Sequence, residues 1–264
     1  DVPMDVLLSS QYAHQRRQAI GSEASMEMRP GNVGLGTPDY DILNVAWDNR
    51  NALGVHRKHL KDVDISDVHE GDTTHLDAVD AQGNMVSSTP SGGWIGTSPV
   101  IPGLGFPIGT RGQMFYLNPN RPNTLSPRKR PRATLTPSLV TRNRDPFLVF
   151  GTPGGDSQEQ ITQQFFLNYV EFGMNLQEAL DAPTVRSQHF PSSFYPRDAN
   201  PGRVVAESRI SQDVIKGLET KGHDIELLGD WHGGKSLAIH YNIDTGVISG
   251  AASAKGNIGY AIGR

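Results

Sequence analysis

Between positions 56 and 72 this chain cannot contribute to a core. Basic residues come first (His56, Arg57, Lys58, His59) and acidic ones follow (Asp62, Asp64, Asp67, Glu70, Asp72), with little apolar content between them. Burying so many charges is prohibitive, so the segment must stay in water as an exposed linker. At Thr73 the chemistry changes at once. Residues 73–79 alternate polar and apolar side chains, Gln82-Gly83-Asn84 supplies a turn, and 85–89 returns, which is the pattern of a β-hairpin. The chain is therefore expected to divide into a segment 1–72 that ends in the linker and a folded unit 73–264. His56, His59 and His69 stand beside carboxylates, but their spacing matches no metal-binding pattern, and solvated linker charge accounts for them.

The remaining elements follow from periodicity and punctuation. Residues 4–20 have helical spacing, with Pro30-Gly31 as the latest possible stop. The stretch 92–112 is rich in Gly and Pro and reads as loops around a site. Pro146-Phe147-Leu148-Val149-Phe150 is a strand that runs into Gly151-Thr152-Pro153-Gly154-Gly155, and a helix starts immediately after. Asp156 is its expected cap, with Glu159 three residues on, while Ile161, Phe165 and Tyr169 supply an apolar face. Asn175 with Glu178 repeats the capping pattern for a short helix before Pro183, and 211–221 reads as a helix stopped by Gly222. Two strands, 236–241 and 246–249, close the chain around Asp244-Thr245-Gly246. Strands, then helices, then strands predict a layered α+β domain.

Several function classes fall away on composition. A net charge of -4 offers no basic excess to hold a polyphosphate, and Arg128-Lys129-Arg130 with Arg132 lacks interleaved aromatics, so nucleic acid is not an expected partner. The basic run is read as a loop leading into the site. No apolar stretch approaches the roughly 20 residues that cross a bilayer, so no membrane span is expected. With Cys at 0 there is no thiol nucleophile, disulfide or cysteine-type zinc site. Asp1 opens without a basic or apolar leader, and the expectation is that the true beginning is missing; the compartment, cytoplasmic or exported, stays open.

A hydroxyl nucleophile therefore needs activation from elsewhere, because the Gly-x-Ser-x-Gly elbow is also absent. Thr73 offers one solution. If the bond after Asp72 were cut, the new α-amino group, with an ordinary pKa of about 7.7 to 8.0, could take the proton from the Thr73 hydroxyl near neutral pH. Alone, Thr73-Thr74 is equally a pair of β-branched strand residues. Gly154 and Gly155, between a strand and a helix N-terminus, could offer backbone N–H groups to an oxyanion, or could be a tight turn and nothing more. Trp94 and Trp231 could line a pocket or simply pack, and Asp224 and Asp230 have no evident catalytic partner.

Four runs in order carry a resemblance that covers nearly the whole chain: Gly71-Asp72-Thr73-Thr74-His75-Leu76 with Asp80-Ala81-Gln82-Gly83-Asn84; Lys129-Arg130-Pro131-Arg132-Ala133-Thr134-Leu135-Thr136-Pro137; Gly151-Thr152-Pro153-Gly154-Gly155; and Gly259-Tyr260-Ala261-Ile262-Gly263-Arg264. Together they resemble the small subunit of γ-glutamyltransferases, and 1–72 resembles the end of the large subunit. The resemblance implies a four-layer αββα N-terminal-nucleophile fold, a precursor that cuts itself between Asp72 and Thr73, and acyl transfer through a γ-glutamyl ester on Thr73. It implies oxyanion amides from Gly154 and Gly155, and a hydroxyl at Ser91 supporting the nucleophile. It also implies no metal or organic cofactor, a small-molecule acyl amide as substrate, and the remainder of the large subunit as partner.

Departures from the family pattern bear on the acyl group. Where the family follows Gln-Met with an acidic pair, Gln113-Met114 is followed here by Phe115-Tyr116, which removes the obvious counter-charge for an α-ammonium. The usual asparagine aligns with Gly93, and the usual Ser-Ser pair with Ala133-Thr134. Gln113, Tyr116, Arg132 and Thr134 are the expected substrate-binding residues, with Arg132 and Thr134 holding a carboxylate. Three activities stay open: a γ-glutamyl amidase and transferase, a glutaryl or cephalosporin acylase-like amidase, and an unprocessed, non-catalytic binding or structural subunit.

Overall fold

A computed structural model describes residues 2–29, 31–34, 73–92, 98–117, 122–194, 197–256 and 259–263. The charged stretch 56–72, with Asp72 and its histidines, lies outside the described residues, as do Gly93 and Trp94. In chain order the helices are α1 (Met4–Leu7), α2 (Ser10–Gln18), α3 (Gln158–Val170), α4 (Leu176–Asp181) and α5 (Gln212–Thr220). The strands are β1 (Leu76–Val79), β2 (Met85–Ser88), β3 (Ser138–Arg142), β4 (Asp145–Gly151), β5 (Val185–Ser187), β6 (Arg203–Glu207), β7 (Asp224–Leu228), β8 (Leu237–Asn242) and β9 (Val247–Ala252). Chain 4–20 is two helices rather than one, because Ser9 turns its hydroxyl onto the Tyr12 amide and starts α2 afresh.

The hairpin β1–β2 has the expected register, Leu76 opposite Ser88 through Val79 opposite Met85, although β1 begins three residues after Thr73. A second hairpin, β3–β4, stands where a lone strand is expected. It turns at Asn143 and Arg144, both at positive φ (55° and 78°), the backbone of a two-residue turn that matches strand twist but carries no glycine to announce it. β4 then pairs with β8 and β8 with β9, giving an antiparallel sheet in the order β3-β4-β8-β9. A separate sheet, β5-β6-β7, holds a parallel β6–β7 pair joined through α5.

β4 is the buried centre, and its two sides face different layers. Phe150 sends its ring to Phe165 and Phe166 of α3, at centroid distances of 5.0 and 6.0 Å. The next residue, Gly151, faces His75 on the opposite side, as strand alternation requires. Helices α3 and α4 thus cover one face around Phe147, Leu148, Phe150, Phe165, Leu180 and Ala238, and the hairpin β1–β2 lies over the other. Helix, sheet and hairpin are successive layers of an α+β sandwich. Asn175 and Glu178 form the expected capping box at α4. Asp156 does not cap α3: Ser157 occupies that position, and the Asp156 carboxylate is taken by the Ser193 amide and hydroxyl at 2.7 and 2.5 Å.

A buried ionic cluster ties the two sheets together. Glu207, at the end of β6, has a side chain shielded from solvent and pairs with Lys255 at 2.9 Å, while Arg209 clamps its other oxygen. Lys255 Nζ also donates to Ala182 O, and Arg209 to Asp181 O, at the C-terminal end of α4. Burial pushes the Lys255 amine below the usual lysine range, against the pull of Glu207. Removing the shared anion strands two cations, so Glu207→Ala is expected to cost about 3–5 kcal/mol, read as a lower urea midpoint with an unchanged slope.

Candidate active site

Three groups meet at the entry to the first hairpin. Thr73 Oγ1 lies 2.6 Å from Ser91 Oγ, so the two strand ends are closed by a hydroxyl pair. The Thr74 amide donates to Pro90 O at 3.1 Å and extends the pairing beyond β1–β2 proper. From the other side Arg111 Nη2 donates to Ser91 Oγ at 2.5 Å. Arg111 sits on a 3-10 turn, Thr110–Met114, which is pinned by the Thr110 amide to Gly92 O. Gly92 is at φ 88°, and a Cβ there would fall 2.9 Å from Arg111 Nε, so glycine is required to seat the guanidinium.

His75 links this corner to the central sheet. Its side chain is wholly buried; Nε2 donates to the Asp77 carboxylate at 3.0 Å, and Nδ1 is 2.8 Å from the Thr89 hydroxyl. The ring lies close against Gly151, where any Cβ would collide with it. Gly151 ends β4 and opens the loop that carries Gly154 and Gly155, so the start of the hairpin and the start of the loop are packed together.

The loop itself is shaped by its own side chains and by glycine. Thr152, fully buried, donates to Pro153 O at 2.9 Å and accepts from the Lys235 amide at 3.1 Å. Gly154 (φ 138°) and Gly155 (φ 54°) adopt backbone that side chains disfavour. The Gly154 carbonyl is turned inward to the Ser157 amide and hydroxyl. Neither glycine N–H is a donor in a hydrogen bond with another described residue, and both precede α3, where the helix dipole favours negative charge.

The expected substrate-binding residues are distributed around the same loop. Arg132 is half-exposed, with Nη2 3.8 Å from Asp156 at the head of α3. Thr134 is buried, and its hydroxyl has no hydrogen-bond partner. Gln113 is exposed, and its carbonyl accepts from Arg197 at 3.0 Å. The Tyr116 ring lies under the Arg197 guanidinium at 4.2 Å, so that residue is engaged within the protein. Buried Arg197 also holds the Phe115 and Ser193 carbonyls, stitching the 113–116 turn to the segment that takes the Asp156 carboxylate. The basic run at 128–130 is exposed. Trp231 is about half-exposed (47%) and stacks on Arg209 at 3.8 Å, away from this corner, and Asp224 pairs with Arg203. Sequence reasoning does not reach Arg111, Arg197 and Ser193; they lie in a short 3-10 turn or in loops, where only tertiary contacts distinguish a placed side chain from a solvated one.

Among the described residues no cluster of three or more His, Cys, Asp or Glu is arranged to hold a metal ion, and no helix is long and apolar enough to cross a membrane. A cavity of about 440 Å³ lies between the end of α2 and the 221–223 turn, lined in part by Arg16, Arg29, His189 and Lys221; none of these residues belongs to the Thr73 corner.

Residues 1–261 match the family model described as gamma-glutamyltranspeptidase. A glutathione hydrolase-like YwrD proenzyme of Bacillus subtilis is 32% identical over the whole chain, which covers 42% of that protein. A solved LmbA2991 structure is 42% identical with a TM-score of 0.86, over all of this chain and 44% of the other. The cephalosporin acylase of Bacillus halodurans is 29% identical with a TM-score of 0.70, over 97% of this chain and 38% of its own. The chain thus spans less than half the length of these relatives, and the match runs through both the hairpin that begins at Thr73 and the glycine loop. On these grounds the chain belongs to the gamma-glutamyltranspeptidase family, with its N-terminal-nucleophile α+β fold.

Proposed function

We propose that this chain supplies the catalytic half of an autoprocessed amidohydrolase and acyltransferase, with 73–264 as the small subunit and Thr73 as its N-terminal nucleophile. The observation that carries this reading is the 2.6 Å contact between Thr73 Oγ1 and Ser91 Oγ at the mouth of the hairpin. Once the Asp72-Thr73 bond is cut, the Thr73 α-amine takes the hydroxyl proton as Oγ1 attacks the acyl carbonyl. The Gly154 and Gly155 N–H groups donate to the oxyanion, each such donor being typically worth about 2.7–4 kcal/mol of barrier. The α-ammonium returns the proton to the departing amine, leaving an ester on Thr73. Water or an acceptor amine then resolves the ester. The acyl group in this reading is γ-glutamyl, as in glutathione, and the rest of the large subunit completes the binding site.

A second reading, an acylase that takes a carboxylate-bearing acyl group without an amine, is supported by the charges around the site. Phe115 and Tyr116 offer no anion to an ammonium, while Arg111 and Arg132 are both close to the catalytic elements. A carboxylate is well matched to guanidinium, and an ammonium is repelled by it.

Processing and anilide turnover test these readings. Intact mass and N-terminal sequencing of the full-length protein are expected to find a fragment starting at Thr73. Thr73→Ala is expected to remain one unbroken chain and to lose at least about a thousandfold in release of chromogenic anilides. A single unbroken wild-type chain would instead mark a silent binding or structural subunit. For the acyl group, the first reading predicts a kcat/KM for γ-glutamyl p-nitroanilide above that for the glutaryl compound by about tenfold or more, and the reverse order assigns the second.

A further inference from the structure

We propose that Arg111 is a positioning residue for the nucleophile: its guanidinium holds the Ser91 hydroxyl beside Thr73 and sets a permanent positive charge near the Thr73 terminus. The inference rests on the N-terminal threonine reading above. Arginine has five donors and no acceptor, so in the 2.5 Å contact Ser91 Oγ must accept. Ser91 can then give its own hydrogen to Thr73 Oγ1, 2.6 Å away. In that sense of the pair Thr73 Oγ1 accepts, and its own hydrogen is left for the α-amine of the same residue.

The charge on Arg111 is not spent elsewhere. Among the described residues no carboxylate pairs with it. Nε is buried against Gly92 without a hydrogen-bond partner among the described residues, and the guanidinium carbon lies 5.4 Å from the Phe194 ring centre. The two hydrogen bonds put Arg111 Nη2 within about 5 Å of Thr73 Oγ1. A cation at that range disfavours protonation of a neighbouring amine and holds it as the neutral base. The other ionisable groups on the surrounding elements are committed to partners: His75 to Asp77, and Asp156 to Ser193 and Arg132, while Arg197 holds carbonyls and covers Tyr116.

The test is the Thr73 α-amine itself, titrated by 15N NMR in threonine-labelled, processed full-length protein whose new terminus has been verified by sequencing. In the wild type the amine is expected to titrate below the ordinary range of about 7.7–8.0. Arg111→Gln is expected to raise it by about one pH unit and to move the acidic limb of the anilide pH–rate profile with it, with kcat lowered about tenfold or more. Arg111→Lys, which keeps the charge, should leave the titration within about 0.3 unit of wild type. Ser91→Ala, which keeps the charge and breaks the hydroxyl chain, should lower kcat with the amine titration unmoved; this arm stands even if the Gln variant fails to fold. Equal titration in wild type and Arg111→Gln, or a shift in Ser91→Ala as large as one unit, overturns the proposal while leaving a Thr73 nucleophile intact. Absence of a Thr73 terminus in the wild type removes both readings together.

Discussion

The contact between the His75 ring and the Cα of Gly151 is the constraint on which the rest of this corner depends. Thr73 stands two residues before one partner, and Gly154 and Gly155 stand three and four residues after the other. In the proposed reaction, a hairpin free to slide over the sheet would separate the Thr73 hydroxyl from the Gly154 and Gly155 amides proposed to serve the same carbonyl. His75 cannot slide, because both ring nitrogens are engaged by Thr89 and Asp77 of the same hairpin. Gly151 cannot be replaced without displacing the ring. In the proposed reaction, register is a catalytic quantity as much as a structural one.

Around that contact the protein has arranged loops rather than secondary structure, and has braced them with arginines. Arg111 closes on Ser91, Arg197 gathers three carbonyls, and Arg132 leans toward Asp156. A guanidinium suits this task because its donors are rigidly forked and it needs no acceptor in return. The result is a corner with more positive than negative side chains, in a chain whose overall charge is -4. That local inversion is where this chain departs from the acidic pair of its family pattern, and it is the physical basis for weighing a carboxylate-bearing acyl group against an amino-acid one.

Much of the framework is legible in the order of residues alone. The Thr73 hairpin, the buried strand ending in Gly151, the capped α4 and the α5 stop at Gly222 each follow from local chemistry that tertiary packing did not overrule. Elsewhere the local signal is ambiguous or misleading. The β3–β4 turn uses Asn143-Arg144 without glycine, and β5 to β7 are too short and mixed to show clear alternation. Asp156 has the form of a helix cap, yet Ser193, distant in sequence, offers it two donors and wins.

By itself the sequence determined where strand alternation begins and where a helix is capped, and its family resemblance named Thr73, Ser91 and Gly154-Gly155 as residues that could share one chemistry. These are local matters, set by side-chain solvation and backbone freedom within a few residues. Only the tertiary structure decided that Ser91 closes on Thr73, that Arg111 stands behind Ser91 in the one space a glycine leaves, and that Glu207 gathers Lys255 and Arg209 in the interior. A hydrogen bond or ion pair between residues tens of positions apart depends on how the layers dock, and docking is settled by the packing of the whole core rather than by any segment's own pattern.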